Sequence, residues 1–438
     1  MHREMKQGKR LNWLGITNSM HVYIETYGCS SSRNDSEIMA GLLERAGHII
    51  VEKIDNADAI IINTCIVKSV TENKIVSRIK KVQQQYKGKR LVIAGCMPAA
   101  QRSLVKKIAP TAALISTNSI NDISKALYGG EFVGKKFSKA YQPKIRRNAV
   151  IDIVEICSGC SHTCSYCITR FAKGSLFSYP AKKIIKEIAE MHSEGVKEFW
   201  ITGQNIAEYN YDGTNLPKLI ENIADSVKGK YFLRLGMMNP ADVFSILNDL
   251  IDAYKNGHVF KFLHIPVQSG SDEVLEKMER NYTAEDFVEI VKKFRVAIPE
   301  ITIWTDIIVG FPGESEEDFF ASMNLLKQIQ PDFTNISAFG SRPKTKAAKM
   351  KKVPTEIVKE RTRKMAKIVN ELAEEKNKKW LNKETEILID EYSERNKNFL
   401  GRNLSYKQIA VKGSIALGDT INVKITKATK THLEGEII

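Results

Sequence analysis

The sequence predicts an α/β protein in three parts: a parallel α/β unit, a partial (β/α)6 barrel and a small antiparallel β-barrel at the carboxyl end. Three observations predict it. Strand-like and amphipathic helix-like runs alternate over the first 130 residues and again from 149 to 339, as βα units of a parallel sheet do. After 385 the pattern becomes short period-two runs with glycine at the turns, the mark of a small β-barrel. Finally, 438 residues are too many for one ordinary core, since domains hold about 100 to 200 residues.

In the first unit the strands expected are 21–28, 57–64, 90–95 and 112–117, with helices over 36–46, 69–86 and 101–108 and Gly47 as a helix stop. The stretch 134–147, with Pro143, reads as a linker. The barrel strands expected are 149–156, 198–202, 231–237, 260–267, 301–309 and 333–339. Helices over 181–193, 216–227, 241–254, 284–297 and 316–329 fit between them. Right-handed crossovers would place the loops at the carboxyl ends of these strands around one site. A basic helix over 356–379 precedes the period-two runs Glu386-Ile387-Leu388-Ile389 and Ile421-Asn422-Val423-Lys424-Ile425. The units expected are therefore 20–130, a basic linker 131–147, 148–382 and 383–438.

Composition excludes several classes. Hydrophobic residues make up 43% and charged residues 27%, ordinary values for a folded globular chain. No apolar run approaches the roughly 20 residues that span a bilayer. The first twenty residues are polar, with Lys6, Lys9 and Arg10, and lack the apolar stretch of a signal peptide, so a cytoplasmic protein without a membrane partner is expected. The net charge of +15 suggests a polyanionic partner. It is concentrated: 342–383 carries 15 basic against 5 acidic residues, and 134–147 carries 6 basic and no acidic ones. The rest of the chain is near neutral, so the charge is placed as a binding stripe would be.

Seven cysteines are too few, and odd in number, for a disulfide framework and point to metal or catalysis. Cys160, Cys164 and Cys167 lie in one short loop after the first barrel strand. Three thiolates at this spacing can hold one iron–sulfur cube and leave an iron open for substrate. A zinc knuckle with His162 as fourth ligand is the alternative. Cys29, Cys65 and Cys96 are distant in sequence, yet each ends one of the first three strands. In a parallel sheet those ends share an edge, where ligands bind. A second three-thiolate cluster is favoured over three buried structural thiols. Cys157 reads as a small apolar residue near the strand end, with a place in a rearranged site instead of Cys160 as the alternative; the Cys160 spacing is the better match.

The Cys160-x3-Cys164-x-Tyr166-Cys167 pattern resembles that of radical S-adenosylmethionine enzymes. With Asn63-Thr64-Cys65, Thr202-Gly203-Gln204-Asn205, His264-Ile265-Pro266-Val267-Gln268-Ser269-Gly270-Ser271, Met278-Glu279-Arg280-Asn281-Tyr282 and Gly310-Phe311-Pro312-Gly313-Glu314, nearly all of 20–438 is similar to the radical methylthiotransferases. The run Arg234-Leu235-Gly236-Met237-Met238-Asn239-Pro240 is similar to the archaeal and eukaryotic branch acting on threonylcarbamoyladenosine in tRNA. The sequence departs from that pattern at Lys344 and Lys346, where relatives have Gly and a second Pro.

The resemblance implies two 4Fe-4S clusters, one on each cysteine triplet, and S-adenosylmethionine as both methyl donor and radical source. The methyl group would pass to a sulfur at the Cys29/Cys65/Cys96 cluster, and a deoxyadenosyl radical made at the other cluster would remove hydrogen from C2 of the adenine. It implies cofactor contacts from Tyr166, Thr202, Gly203, Gln204, Asn205, Gln268, Ser269, Gly310, Phe311 and Pro312. Substrate contacts are implied for Arg234, Asn239, Arg280 and Tyr282, the two arginines as partners of a carboxylate. Lys359, Arg361, Arg363 and Lys364 of the basic helix would meet tRNA phosphates, and a carboxyl-terminal TRAM barrel would bind RNA. An electron-donor protein and a sulfur source are implied as further partners. The rivals are a methylthiotransferase for isopentenyladenosine or for a ribosomal-protein aspartate, and a noncatalytic iron–sulfur RNA-binding protein.

Overall fold

The computed structural model describes residues 19–134 and 136–438. The polar segment ahead of Ser19, and Lys135, lie outside the described residues. The first layer contains β1 (His21–Thr26), α1 (Ser30–Arg45), β2 (Ile49–Ile50), β3 (Ala59–Thr64), α2 (Ser69–Gln85), β4 (Arg90–Gly95), α3 (Cys96–Ala100), α4 (Arg102–Ile108), β5 (Ala113–Ser116), α5 (Ile123–Ala126) and β6 (Glu131–Phe132). Its sheet order is β2-β1-β3-β4-β5-β6, parallel throughout. Every residue of β3 is buried, because helices cover both faces and a central parallel strand must be apolar on both. Ile60, Ile62 and Ile93 join one core cluster while Ile61, Val92 and Ile115 join the other. The edge strands β2 and β6 escaped the sequence reading because two residues carry no alternation.

The second part contains β7 (Ile151–Glu155), β8 (Cys157–Ser158), α6 (Thr169–Lys173), β9 (Phe177–Ser178), α7 (Ala181–Ser193), β10 (Glu198–Thr202), β11 (Asn210–Tyr211), β12 (Thr214–Asn215), α8 (Leu216–Ser226), β13 (Phe232–Leu235), α9 (Pro240–Ser245), α10 (Leu247–Lys255), β14 (Phe262–His264), α11 (Asp272–Lys277), α12 (Ala284–Ala297), β15 (Thr302–Val309), α13 (Glu316–Ile329) and β16 (Phe333–Ala338). Two sheets, β13-β10-β7 and β14-β15-β16, meet through parallel bridges Leu233↔Val259 and Met237↔His264. The six strands thus form an open, partial barrel. Capping boxes at Thr283/Asp286 and Ser315/Asp318 fix the starts of α12 and α13. The single helix expected over 241–254 is instead two, broken at Ile246, whose φ of −122° is not helical.

Then follow α14 (Thr355–Lys378), β17 (Glu384–Ser393), β18 (Asn398–Arg402), β19 (Gln408–Val411), β20 (Thr420–Ala428) and β21 (Leu433–Ile437). The last five close into a barrel in the order β17-β18-β19-β21-β20, with Ile387, Ile389, Ile409, Val423 and Ile425 inside. Tyr406, from the loop before β19, packs on Phe260 and Phe262 and donates to Glu198 at 3.0 Å. This plugs the end of the six-stranded barrel where β10 and β14 begin. The other end faces the first layer: Ser30 and Thr202 hydroxyls lie 3.0 Å apart, and Lys68 donates to Asn335 at 3.3 Å.

The described residues 136–147 are packed between the parts rather than strung outside them. Lys139 pairs with Asp35 and Glu155, and Lys144 pairs with Asp152 and Glu187, all of these charges being buried. Arg146 pairs with Glu194 at 3.0 Å, and Arg147 donates to Thr26 at 3.0 Å. The expectation that this stretch offers a polyanion a stripe of charge is therefore corrected for Lys139 and Lys144. An ammonium already neutralised in the interior has nothing left for a phosphate.

Candidate functional site

Cys29 stands at the N-cap of α1, Cys65 just past β3, and Cys96 at the start of α3. Since β1, β3 and β4 are neighbours, the three sulfurs gather at one sheet edge. Asn63 and Thr64 lock the loops that carry them. Asn63 Nδ2 donates to Ser32 O and Ser36 Oγ at 2.8 and 2.9 Å. Thr64 Oγ1 donates to Ala94 O at 2.6 Å and accepts from Met97 N at 3.2 Å. Cys29 is exposed and the other two are buried. Burial pushes the Cys65 thiol up, with Cys29 adding to it. Burial also pushes Cys96 up to about 12, opposed by the Lys173 ammonium and reinforced by both other sulfurs. Three mutually sensed free thiols, one facing the opening, fit a three-coordinate iron–sulfur cluster.

The second triplet is held as tightly. Cys160 N donates to Gly174 O at 3.2 Å, Cys167 N to Cys164 O at 3.1 Å and Ser165 N to Met278 O at 3.0 Å. Burial, then the Cys164 sulfur, pushes Cys167 up. Burial pushes Cys160 up, with Glu208 adding to it. All three are free and partly exposed, a donor set that also fits one cluster. His162 is turned to Asp242, with 2.7 Å between Nε2 and Oδ2.

Around this loop lie the residues expected to hold a cofactor. Tyr166 meets Phe311 edge to face with ring centroids 6.3 Å apart. Gln204 Oε1 accepts from Gly159 N at 2.5 Å. Asn205 donates to Asp242 at 2.6 Å and accepts from Asn239 N at 2.9 Å. Gly203 has no room for a side chain, since a Cβ would stand 2.7 Å from Cys157 Sγ. Cys157 itself is buried. Gln268 holds a left-handed φ of 70° and bridges β15, accepting from Ile308 N at 2.9 Å. Ser269 is buried against Ser322. Gly310, at φ 75° with Val358 where a Cβ would be, leads into buried Phe311 and Pro312. These groups line one side of the Cys160–Cys167 loop, but several are committed to the protein itself.

Four expected substrate contacts are relocated by the structure. Arg280 is half-buried, donating to Cys164 Sγ at 3.3 Å and to Asn239 Oδ1 at 2.9 Å. Tyr282 is buried and donates to Val267 O at 2.8 Å. With Asn239, 4% exposed, they form scaffolding beneath the cysteine loop. Arg361 is also buried, bonded to Glu314 at 2.7 Å, and so is removed from the set that could touch phosphates. Lys359 is exposed but paired with Glu356, and Lys364 with Glu360. Arg363 is exposed.

Arg234 has another setting. It lies on β13 over the faces of Trp200, Phe262 and Tyr406, 4.9 to 5.9 Å from the centroids. Among the described residues no carboxylate lies within ion-pair distance of its guanidinium, and its buried Nε has no acceptor. Arg33, four residues past Cys29, covers Trp200 at 5.2 Å. Nearby on the alternate strand positions, His264 meets Asp306 at 2.8 Å and Asn335 donates to Asp306 at 2.6 Å. The sequence reading missed Arg33, Trp200, Asp306 and Asn335. Their signal was polar or aromatic residues at inward strand positions, where a filled core would carry aliphatic ones.

Residues 21–116 match the family described as Uncharacterized protein family UPF0004, 154–326 the Radical SAM superfamily, and 378–438 the TRAM domain. A Pyrococcus horikoshii protein named probable threonylcarbamoyladenosine tRNA methylthiotransferase is 40% identical over 95% of this chain and 99% of its own. The human threonylcarbamoyladenosine tRNA methylthiotransferase is 33% identical over 95% of this chain and 73% of its own. In fold, the chain is similar to the radical S-adenosylmethionine methyltransferase TsrM of Kitasatospora setae, with a TM-score of 0.57 at 15% identity, over 76% of this chain and 77% of that one. Its order of a parallel α/β layer, a cysteine-bearing partial barrel and a closed five-stranded barrel, carried by a sequence alike from end to end, makes this chain a member of the radical S-adenosylmethionine tRNA methylthiotransferase family.

Proposed function

We propose that this enzyme converts N6-threonylcarbamoyladenosine at position 37 of tRNA to its 2-methylthio derivative, with a 4Fe-4S cluster on each cysteine triplet. In this reading 20–130 handles sulfur, 148–382 generates the radical and 383–438 binds RNA in the cytoplasm. The observation that carries the choice of substrate is Arg234, a half-buried cation without an ion pair among the described residues. A threonylcarbamoyl group brings a carboxylate that can pair with it, whereas an isopentenyl group would leave the cation and its Nε unsatisfied. Trp200 lies between Arg33 and Arg234 and holds both guanidiniums by its ring.

When bound, the clusters and S-adenosylmethionine would supply the methyl group, the sulfur transfer and the hydrogen-abstracting radical. The chain's own work is placement. Asn63 and Thr64 hold the Cys29, Cys65 and Cys96 loops together, and the Ser30–Thr202 contact sets that edge against the end of β10. Tyr406 closes the far end of the barrel, so substrate enters beside the first layer. Arg234 would orient the modified base by its carboxylate. An electron-donor protein and a sulfur source complete the set of partners. The test is anaerobic reconstitution with iron and sulfide, then mass spectrometry of nucleosides from tRNA bearing threonylcarbamoyladenosine, isopentenyladenosine or neither. Methylthio product from the first alone is expected, and equal turnover of the second overturns the substrate assignment.

A further inference from the structure

A buried chain of charges runs between the two cysteine loops, and catalysis as described makes no use of it. Asp35 of α1, Lys139, Glu155 of β7 and Lys173 of α6 are each no more than 3% exposed. Lys139 Nζ lies 2.5 Å from Asp35 Oδ1 and 3.1 Å from Glu155 Oε2, and it also donates to Thr117 at 3.1 Å. Lys139 is thus fully satisfied between two carboxylates. Lys173 is not. Among the described residues its ammonium has one partner, Glu155 at 3.4 Å, a long contact to a carboxylate already shared.

An ammonium out of water costs several kcal/mol unless negative charge surrounds it, so what faces Lys173 matters. Helix α6 packs on α3, whose first residue is Cys96, and Ile168 and Ala172 share an apolar cluster with Cys65 and Cys96. Burial works against the Lys173 charge, yet Glu155, Asp35 and the Cys96 and Cys29 sulfurs together hold it above its ordinary range. Lys173 thus ends a helix packed on the turn that carries Cys96, with a single long ion pair for its charge. We infer that Lys173 is the fixed countercharge of the Cys29/Cys65/Cys96 site, delivered by the helix that begins two residues after Cys167. A five-residue helix spans about 7.5 Å, so one rigid element would carry a ligand of one centre near its start and the electrostatic partner of the other at its end. Lys173 acts as a positioning residue for charge, since it touches no substrate.

This inference rests on reading the first triplet as a cluster site, and the experiment separates the two. In full-length protein with Cys160, Cys164 and Cys167 replaced by Ala, only the first triplet can load, so reconstitution with iron and sulfide isolates it. If that protein binds no iron, the cluster reading fails, and this inference with it. If it loads, its midpoint potential is measured by an EPR-monitored titration. Lys173→Met should shift the potential negative by at least 59 mV, a tenfold change in the ratio of reduced to oxidised cluster, and Lys173→Arg should return it towards the parent value. Lys173→Gln, which removes the charge but keeps a hydrogen-bond donor for Glu155, provides the same comparison should the Met variant fail to load. Loading at an unchanged potential in either variant overturns the inference.

Discussion

Arg280 Nη1 donates to the sulfur of Cys164 across 3.3 Å while Nη2 holds Asn239 at 2.9 Å. The sequence suggests a substrate carboxylate for this arginine, and its place in the fold sets it against the Cys164 sulfur. Groups bonded to a metal ligand orient it, and their loss costs about 10- to 100-fold in metal affinity or activity. Arg280→Met should therefore slow deoxyadenosine formation by that factor under dithionite, with a fall in iron held by the Cys160 loop. Cleavage at the parent rate with full iron would leave the contact without function.

Replacing Cys29, Cys65 and Cys96 by Ala should halve the iron content and stop methylthio product while cofactor cleavage continues. Replacing Cys160, Cys164 and Cys167 should halve iron as well, but abolish cleavage. The two triplets have separate loops and separate locking bonds, so neither loss should carry the other with it. Full iron in the first variant would contradict a second cluster.

What was legible in the sequence was local. The Cys160-x3-Cys164-x2-Cys167 loop announces itself by spacing, and 181–193, 284–297 and 316–329 form helices at the bounds their apolar periodicity and caps indicate. The sequence predicts helix α1 from residue 36, whereas it begins at Ser30. Its first turns, with Ser31, Ser32, Asn34 and Asp35, are polar yet buried, because they face strand ends and Lys139 rather than an aliphatic core. The same limit misplaced Lys139, Arg280 and Arg361. Composition reports a charge, but which carboxylate or sulfur sits beside it is decided by the fold: Asp35 lies 104 positions from Lys139, Cys164 116 from Arg280 and Glu314 47 from Arg361.

Gly203 and Cys157 should behave as packing partners. A Cβ on Gly203 would meet the Cys157 sulfur at 2.7 Å and its carbonyl at 3.2 Å, and overpacking of this kind costs about 1 to 3 kcal/mol. Gly203→Ala should lower the thermal transition accordingly. Cys157→Ser, which can still reach Asn205 O, the thiol's present acceptor at 3.7 Å, should keep its full iron content. A loss of about one cluster would make Cys157 a ligand.

His48 should make the first layer sensitive to acid. It is buried, accepts from Met20 N at 3.3 Å through Nδ1, and burial holds its imidazole below the ordinary histidine range. The unfolded chain therefore takes up a proton first as pH falls. Stability present above about pH 6.5 is lost on descending towards the lower folded value, because a proton on Nδ1 would confront an N–H donor. The protection factor against hydrogen exchange at the Ile49 amide, which bonds to Met20 O, should fall below that pH. In His48→Gln the pH dependence should vanish, and its persistence would assign it to another group.

The basic helix α14 should divide into a structural face and an RNA face. Arg361 pairs with Glu314 and Glu316 and stacks over Phe319, fixing α14 to α13. Removing one member of a buried pair strands the other, at about 3 to 5 kcal/mol, so Arg361→Gln should destabilise the fold without any specific effect on salt dependence. Lys359, Arg363 and Lys364 are exposed, and the i,i+3 and i,i+4 pairs of the two lysines are worth only a few tenths of a kcal/mol each. A phosphate can displace such partners. Each phosphate neutralised releases counterions and adds about 0.7 to 0.9 to the slope of log affinity against log salt. Changing the three residues together to Gln should therefore flatten the slope for tRNA by about two to three phosphates' worth, with thermal stability nearly unchanged. If the slope stays at the parent value while tRNA still binds, the contact surface lies elsewhere, and the closed barrel of 384–437 becomes the part to scan next.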